Sequence, residues 1–464
     1  MNHPAVWCSE RAKPLRGQRS RVLLSVIARL RNCNLRGPAM RLLAQVTDDP
    51  LSGLSPSVYE TGRLVALAPW LKGHDARIRY LLDTQRPDGT WGGPAEYALV
   101  PTLSAVDALG RHPAARRGLE ALRKLLSLPL TPPDTVAVEL IVPALAERLG
   151  LHTPVDPRPL HALRQRPLPE KLWHTLEIFG PRPEVTTVNG IVAASPAATA
   201  VQLQGPRPGE SLDYLETVQH RHGGPVPAGV PVPLFERSWI IVALKSAGLD
   251  VPDPMVGQIE AAFGQDGAAA GPGLPADADD TATALHALAL CDSPVSTAAL
   301  HRYREARHFS CFPDERTPST STNAHALQAI GHDRQLEEWL RDMQDPGGYW
   351  LDKWHASPYY ATACVTNALQ GNEKAVNWVL DTQNDDGSWG RWEGTYEETA
   401  YAIRILSHTR QDVSEAMIRG AKFLNDWGDQ KHPPLWHDKD LYTPTRIVRA
   451  EGMAALHLTC AVRR

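Results

Sequence analysis

One segment of this chain is found twice, far apart in the sequence, and it restricts the fold more than any other feature. LLDTQRPDGTWGG (81–93) and VLDTQNDDGSWGR (379–391) each combine a helix end with Gln, Asp-Gly and Trp at the same spacing. MQDPGGYWLDKW (343–354) is a weaker copy, and VQHRHGGPVP (218–227) is a degenerate one. We expect the Asp-Gly pair to close a turn, the Trp to pack back on it and the Gln amide to satisfy helix-end groups. Such repeated corners predict helix pairs stacked around a ring, which is an α/α barrel.

The segments between these corners have a helical pattern. Stretches such as SWIIVALKSAGL, TATALHALAL and EETAYAIRIL carry apolar residues at i, i+3 and i+4, and strand signals are rare. The 40 prolines and 34 glycines supply the helix ends. Because the corners lie too far apart for one small barrel, the sequence predicts an all-α protein with two α/α-barrel domains. We predict a basic N-terminal extension at 1–38, a first barrel at 39–238 and a second barrel at 239–464.

The N-terminal extension differs in charge from the rest of the chain. Its first 36 residues carry eight Arg and Lys and one acid, Glu10. Such a segment buries little apolar surface, so the favoured interpretation is a disordered extension or an upstream start with Met40 as the functional start. The alternative is a basic arm that meets a membrane surface or a polyanion. It makes a poor signal peptide, because its short apolar run is interrupted by Arg29 and no small-residue cleavage site follows.

Composition excludes several functional classes. The net charge of -4 gives no indication of nucleic-acid binding, so we expect no nucleic-acid partner. No apolar stretch approaches the length of a membrane span, so the chain is not expected to be an integral membrane protein. The six cysteines are scattered without a C-x-x-C pair, which is typical of a reducing cytoplasm.

The segment GLPADADDTATALHAL (273–288) concentrates three acids, Asp277, Asp279 and Asp280, at the start of a helical pattern. Helix capping would use one or two of them. A metal site would favour acids spaced one helical turn apart on one face. Burial among neighbouring carboxylates raises a carboxyl pKa and keeps a neutral acid ready to donate a proton. The spacing therefore favours a Brønsted acid strong enough to protonate an alkene.

Several motifs together resemble the class II diterpene cyclases, in particular the bacterial two-domain kind, over residues 40–464. The motifs are D-x-D-D-T-A, the Q-x-x-D-G-S-W repeats, SPSVYETGRLVAL (55–67), DKWHASPYYATA (352–363), GTYEETAYAIRIL (394–406) and LWHDKDLYTPTRIVRA (435–450). The resemblance implies a βγ architecture of two α/α barrels with the substrate between them. It also implies that Asp279 is the general acid, tuned by Asp277 and Asp280. The family protonates the terminal alkene of geranylgeranyl diphosphate and closes a decalin while retaining the diphosphate.

Three alternatives stay open at the level of sequence. The same chemistry could act on farnesyl diphosphate, which gives a drimane, or on a triterpene, and a non-catalytic α/α-barrel binding protein is a further class. No aspartate-rich motif of the kind needed to ionise a diphosphate is found, so the resemblance implies class II chemistry alone. A class I synthase or a hydrolase would then act on the product.

The proton acceptor is less well defined than the acid. KLWHTLEIFG (171–180) resembles a segment of plant ent-copalyl diphosphate synthases whose histidine helps to hold a proton-accepting water. This places His174 in that role, with a wall histidine as the alternative. The partner asparagine of the plant enzymes is replaced by Ala228 in GGPVPAGVPVPLFE (223–236). The product skeleton, its stereochemistry and the addition of water therefore stay open.

The remaining predicted site residues are polar and aromatic. Asn323, in STSTNAHAL, is predicted to hydrogen-bond the aspartates, with a polar helix residue as the alternative. Trp (13) and Tyr (11) outnumber Phe (6), which is typical either of surface turns built on Trp or of a cavity that handles cations. The residues predicted to line that cavity are Trp354, Tyr359 and Tyr360. The cations predicted to bind the diphosphate are Lys353, Lys439, Arg449, Lys171 and Arg164. Mg²⁺ is expected to arrive with the diphosphate, and no dedicated metal ligands are assigned.

Overall fold

The computed structural model describes residues 35–49, 51–128, 131–313 and 315–461. These residues form helices joined by loops, with one short antiparallel hairpin. The predicted all-α fold with two α/α barrels is confirmed. Most of the predicted N-terminal extension, residues 1–34, lies outside the described residues.

The first barrel has a ring of five elements that pack in sequence order and close on themselves. Four are α-helices and the fourth in order is a 3-10 segment. An outer helix follows each of the four α-helices of the ring. The ring consists of α2 (Val58–Leu67), α4 (Leu99–Leu109), α6 (Val138–Leu149), the 3-10 segment Glu170–Ile178 and α8 (Pro196–Leu203). The outer helices are α3 (His74–Asp83), α5 (Pro113–Ser127), α7 (Arg158–Arg164) and α9 (Glu210–Arg221), and a 3-10 turn, Ala95–Ala98, precedes α4.

The second barrel has a closed ring of six helices. They are α10 (Pro233–Ser246), α12 (Ala278–Leu290), α13 (Thr320–Ile330), α15 (Pro358–Ala368), α17 (Tyr396–Leu406) and α19 (Thr445–Ala461), and α19 packs back against α10. The outer elements are α1 (Arg36–Asp48), α11 (Asp253–Ala262), the 3-10 segment Thr297–Tyr303, α14 (Arg334–Asp342), α16 (Glu373–Asp381) and α18 (Ser414–Asp426). The hairpin between α18 and α19 pairs β1 (Trp436–His437) with β2 (Leu441–Tyr442).

The repeated corners hold these rings together through the same three contacts. In the first corner the Trp91 indole N–H donates to the carbonyl of Leu81 (2.6 Å), and the Gln85 amide donates to Gly89 O and Ala114 O, both at 2.9 Å. Trp389 and Gln383 repeat this arrangement, and so do Trp350 and Gln344 with one partner changed. All three indoles are fully buried. The corner therefore ties the end of one outer helix to the start of the next outer helix, and the Gln amide satisfies helix-end groups as the sequence predicts.

The ring helices of the second barrel present their N-termini at one end. Each ring helix is followed by an outer element that runs back, so the ring helices are parallel. Four of them begin at a side-chain cap, supplied by Asp277, Ser319, Ser357 and Thr395. This end of the barrel faces the first barrel and carries the acid cluster.

The structure differs from the predicted division of the chain at both ends of the first barrel. Residues 36–38, which the prediction gives to a disordered extension, are part of α1. This helix packs against α19 of the second barrel and buries Leu42 and Leu43 in its core. The second barrel resumes at Pro233, where α10 begins. The first barrel is thus inserted between the first and second helices of the other barrel, and local sequence patterns do not carry this information.

Candidate active site

A cavity of about 220 Å³ lies between the two barrels. Its wall is mostly apolar and aromatic, and both barrels contribute to it. From residues 51–232 come Leu54, Val136, Lys171, His174, Ala194, Gly229 and Val232. From residues 233–461 come Phe235, Trp239, Ala270, Leu274, Pro275, Asp277, Asp279, Asp280, Cys311, Phe312, Trp354, Trp436, His437, Asp438 and Tyr442.

The acid cluster lies at the N-terminus of α12, on the wall of this cavity. Asp277 is the N-cap, and its Oδ1 accepts the backbone N–H of Asp280 at 2.8 Å. Burial raises the pKa of Asp277 to about 7, and the nearby Asp279 carboxylate adds to the effect of burial. Burial and then the charge of Asp277 raise the pKa of Asp280 well above its usual range. The cluster thus holds protons that isolated aspartates would release at neutral pH.

Asp279 differs from its neighbours because a histidine binds it. Its Oδ1 lies 2.7 Å from Nδ1 of His325, which comes from the adjacent ring helix α13. Burial alone would lower the pKa of His325, but the Asp279 carboxylate outweighs burial and raises it to about 10. The ring is therefore an imidazolium at neutral pH and donates to Oδ1. The other carboxyl oxygen, Oδ2, has no hydrogen-bond partner among the residues that the structure describes, so it is available to the cavity.

Asn323 does not contact the aspartates, and its predicted role is wrong. Its amide donates to Phe309 O (2.9 Å) and Ser319 O (2.8 Å), and its carbonyl accepts the N–H of Phe309 (2.7 Å). These bonds fix the loop that precedes α13. Residues two apart on a helix point in different directions, so His325 faces the acid when Asn323 does not. The alternative interpretation, a polar residue in a helix, describes Asn323 correctly.

A second His–Asp pair lies on the cavity wall, between His174 and Asp438. His174 Nε2 is 3.0 Å from Asp438 Oδ1, and its Nδ1 donates to the carbonyl of Ala193 at 2.7 Å. Both ring nitrogens face acceptors. Burial would lower the pKa of His174, but Asp438 outweighs it and raises the pKa above its usual value. His174 thus takes Asp438 as its partner, a residue that the sequence analysis did not single out.

Lys439 is fully buried, and the prediction that it binds the diphosphate is wrong. Its Nζ lies 3.0 Å from Glu60 Oε2 and 3.1 Å from Glu177 Oε1, and it donates to Ser195 Oγ at 3.0 Å. These partners belong to the first barrel, whereas Lys439 lies in the hairpin of the second. All its charge is matched internally, so it fastens the hairpin to the opposite barrel.

The three predicted aromatic residues have different positions. Trp354 lines the cavity. Tyr360 lies one layer behind the wall, where its hydroxyl accepts the indole N–H of Trp239 at 3.2 Å and its ring packs 4.8 Å from that of Trp436. Tyr359 points away, stacks near Trp378 with ring centroids 4.5 Å apart and donates to Thr382 Oγ1 at 2.9 Å. The prediction for Tyr359 is wrong, because successive side chains of α15 point about 100° apart around the helix axis, so Tyr359 and Tyr360 face different neighbours.

The other predicted cations are divided in the same way. Lys171 is exposed and lines the cavity, and the structure gives it no ion pair among the described residues. Lys353 forms an ion pair with Glu315 and lies 5.1 Å above the ring of Trp354, so its charge is already matched. Arg449 lines a different pocket and Arg164 pairs with Glu147 at 2.9 Å, so neither is part of this site.

Two further findings concern the part of the chain that the structure describes. Within it, no three His, Cys, Asp or Glu side chains are grouped so that they could hold a metal ion. The predicted Mg²⁺, which was assigned to the diphosphate and not to protein ligands, stays a prediction. Within the same residues, every helix is too short or too polar to cross a bilayer.

We expect stability to respond to pH through Asp277. Its pKa rises from 3.8 to about 7 on folding, so the folded chain holds a proton that the unfolded chain releases in this window. Stability is therefore lost as pH rises from about 4 to 7. Asp277→Asn keeps the cap and removes the titration. The free energy of unfolding of the variant, minus that of the unmodified chain, should be larger at pH 8 than at pH 5 in urea titrations. An equal difference at both pH values would contradict this.

Two α/α barrels that share an apolar cavity, with a buried aspartate cluster on its wall, define the class II terpene cyclases. No family model matches the chain. It is 44% identical to the ent-copalyl diphosphate synthase of Streptomyces sp. strain KO-3988, over 92% of this chain and 96% of that protein. It is 38% identical to the labda-7,13-dienyl diphosphate synthase of Streptomyces clavuligerus, over 90% of this chain and 92% of that protein. The structure of ent-copalyl diphosphate synthase from Streptomyces platensis matches with a TM-score of 0.85 and 41% identity, covering 91% of this chain and 99% of that one. The chain belongs to the copalyl diphosphate synthase family of class II diterpene cyclases.

Membership of this family confirms the resemblance drawn from the motifs. The predicted two-barrel architecture and the predicted enzymatic function are confirmed with it. The alternatives of a sesquiterpene or triterpene substrate and of a non-catalytic binding protein are not favoured.

Proposed function

We propose that this enzyme cyclises geranylgeranyl diphosphate to a bicyclic diterpenyl diphosphate and that Asp279 supplies the initiating proton. The observation that carries the proposal is the geometry of Asp279 in the cavity between the barrels. One carboxyl oxygen accepts from His325, and the other has no partner among the described residues. The names of the two relatives and of the solved structure, which are diterpenyl diphosphate synthases, support the substrate class.

The surroundings of Asp279 favour proton donation to carbon. Burial raises the pKa of Asp277 and of Asp280, which keeps protons on the cluster that contains Asp279. The His325 imidazolium donates to Oδ1 and stabilises the carboxylate that forms when Oδ2 releases its proton. The wall around the acid is apolar, so water does not compete with the alkene for that proton.

The cavity wall then handles the cation. Trp239, Trp354 and Trp436 present their rings to the space next to the acid. An aromatic face contributes about 2 kcal/mol to a desolvated cation. We place the diphosphate near Lys171, the cavity-lining lysine without an ion pair among the described residues, because the retained diphosphate needs a cation and the interior is apolar.

The test is incubation of the purified protein with geranylgeranyl diphosphate, followed by phosphatase treatment and mass spectrometry. We expect a bicyclic C20 alcohol. Its hydroxyl oxygen should be the one that joined the diphosphate to the carbon chain in the substrate. Farnesyl diphosphate in a parallel incubation should be converted at least about tenfold more slowly, because it leaves part of the apolar cavity unfilled. Recovery of geranylgeraniol alone after incubation with folded protein would contradict the proposal.

We also propose a place for the product and a location for the enzyme. The retained diphosphate leaves a good leaving group on the bicyclic product, so a class I synthase or a hydrolase is the next enzyme. The scattered cysteines support a reducing, cytoplasmic location.

A further inference from the structure

The cavity contains a second aspartate, Asp438, which neither the repeat motifs nor the acid cluster include. It lies at the turn of the hairpin, and its Oδ1 accepts from His174 Nε2 (3.0 Å) and from the backbone N–H of Lys439 (2.7 Å). Its side chain is 15% exposed and lines the cavity. Oδ2 has no hydrogen-bond partner in the part of the chain that the structure describes. This oxygen is therefore free to receive a proton from a molecule in the cavity.

We propose that Asp438 Oδ2 is the base that removes the proton from the final carbocation, and that His174 is the residue that positions it. The proposal rests on the cyclisation proposed above. The step is the last one of that reaction. The carbocation gives up one proton to Asp438, which balances the proton that Asp279 supplied at the start.

The two aspartates share one geometry and have opposite surroundings. Each has one oxygen on an imidazole and the other without a partner among the described residues. Asp279 lies between Asp277 and Asp280, whereas Asp438 is followed by the basic residue Lys439. Burial would raise the pKa of Asp438, but His174 and then Lys439 outweigh it and hold the pKa below its usual range. A pair of carboxyl groups whose environments differ in this way divides into an acid and a base.

His174 orients the base and does not itself accept the proton. Its Nδ1 donates to the carbonyl of Ala193 and its Nε2 faces Asp438, so neither nitrogen has a lone pair directed at the cavity. The ring lies on the 3-10 segment Glu170–Ile178 of the first barrel, whereas Asp438 lies on the hairpin of the second. The pair therefore forms only when the two barrels meet.

Gly229 leaves room for this arrangement. A β-carbon at this position would lie 3.2 Å from Asp438 Oδ2 and 3.3 Å from His174 Cε1. The adjacent Ala228 is buried and has no polar side chain. Asp438 thus supplies a polar side-chain partner to His174, which Ala228 cannot do.

The step balances without any further reactant. A C–H bond next to the cationic carbon breaks, its electron pair becomes the new C=C bond, and the proton forms an O–H bond on Asp438 Oδ2. Asp279 has gained the electron pair of its O–H bond in the first step. Proton exchange with solvent restores both carboxyl groups, and the overall reaction is an isomerisation.

The test is the product distribution of Asp438→Asn with geranylgeranyl diphosphate. The amide keeps the size and the contact to His174 but is a very weak base. We expect the alkene fraction of the bicyclic products to fall by about tenfold or more in favour of hydroxylated or rearranged products. Substrate consumption should stay within about fivefold of the unmodified enzyme, because protonation by Asp279 comes first. Helical circular dichroism reports independently that the variant is folded.

A second variant, Gly229→Ala, covers the case in which Asp438→Asn does not fold. The added methyl group crowds Oδ2 and should lower the alkene fraction about threefold or more without removing a charge. Asp438→Glu, which keeps a carboxylate, should restore alkene formation with an altered ratio of double-bond isomers. An unchanged alkene fraction in the first two variants would overturn the proposal, as would loss of consumption in folded Asp438→Asn. Failure of the unmodified enzyme to form any bicyclic product would refute the proposed function instead.

Discussion

Replacement of Asp279 with asparagine is expected to abolish the cyclisation of geranylgeranyl diphosphate. The asparagine retains an acceptor for His325 but has no acidic proton, and the alkene can be activated only by proton transfer. We expect turnover to fall by about 10³-fold or more, near the upper end of what a positioned acid contributes. The measurement is the rate of bicyclic alcohol formation after phosphatase treatment.

Asp426→Asn is the matched control for this change. Asp426 is exposed, and among the described residues it pairs with Lys422 alone, one helical turn away. The control should leave turnover unchanged, and both variants should have the helical circular dichroism of the unmodified enzyme. Retention of about a tenth of the activity by folded Asp279→Asn would assign the proton to another group.

Replacement of Lys439 with methionine should destabilise the protein by about 3–5 kcal/mol. The ammonium is fully buried between Glu60 and Glu177, and the methionine would leave both buried carboxylates without their cation. The loss of stability should be greatest at the contact between the barrels, because the hairpin is released from the first barrel. The midpoint of urea unfolding measures the loss of stability. The rate of proteolysis within residues 430–445 measures the release of the hairpin.

Lys422→Met provides the comparison. Its ion pair with Asp426 is exposed, so its loss should change the free energy of unfolding by less than about 1 kcal/mol. If both methionine variants unfolded at the same urea concentration, the proposed anchoring by Lys439 would be wrong. If Lys439 instead bound the diphosphate, its variant would keep its stability and lose substrate affinity.

The parts of this protein that sequence predicts are those whose contacts are local. Trp91 bonds to a carbonyl ten residues away, and Gln85 bonds to Gly89 within the same turn. The motif therefore contains most of its own structure. The acid cluster is local too, because three carboxyl groups at one helix start are close together whatever surrounds them.

The parts that sequence does not predict depend on distant partners. His174 and Asp438 are 264 residues apart, and Lys439 and Glu60 are 379 residues apart. Nothing in HDKDLY distinguishes a solvated lysine from a buried one, and the deciding acids lie in the other barrel. His325 could have been proposed as the residue that binds the acid cluster, since it follows Asn323 in the same motif. A choice between the two requires the direction of each side chain on α13.

Successive residues of the hairpin at 436–442 have different roles. Lys439 and Asp440 face the first barrel, where Asp440 accepts from Ser57 Oγ (2.6 Å) and the N–H of Tyr59 (2.9 Å). Asp438 faces the cavity. A substitution at position 438 is therefore expected to alter the chemistry at the end of the reaction, while the two residues that follow keep the barrels together. Relatives of this enzyme could evolve new product skeletons through this one position at little risk to the assembled fold.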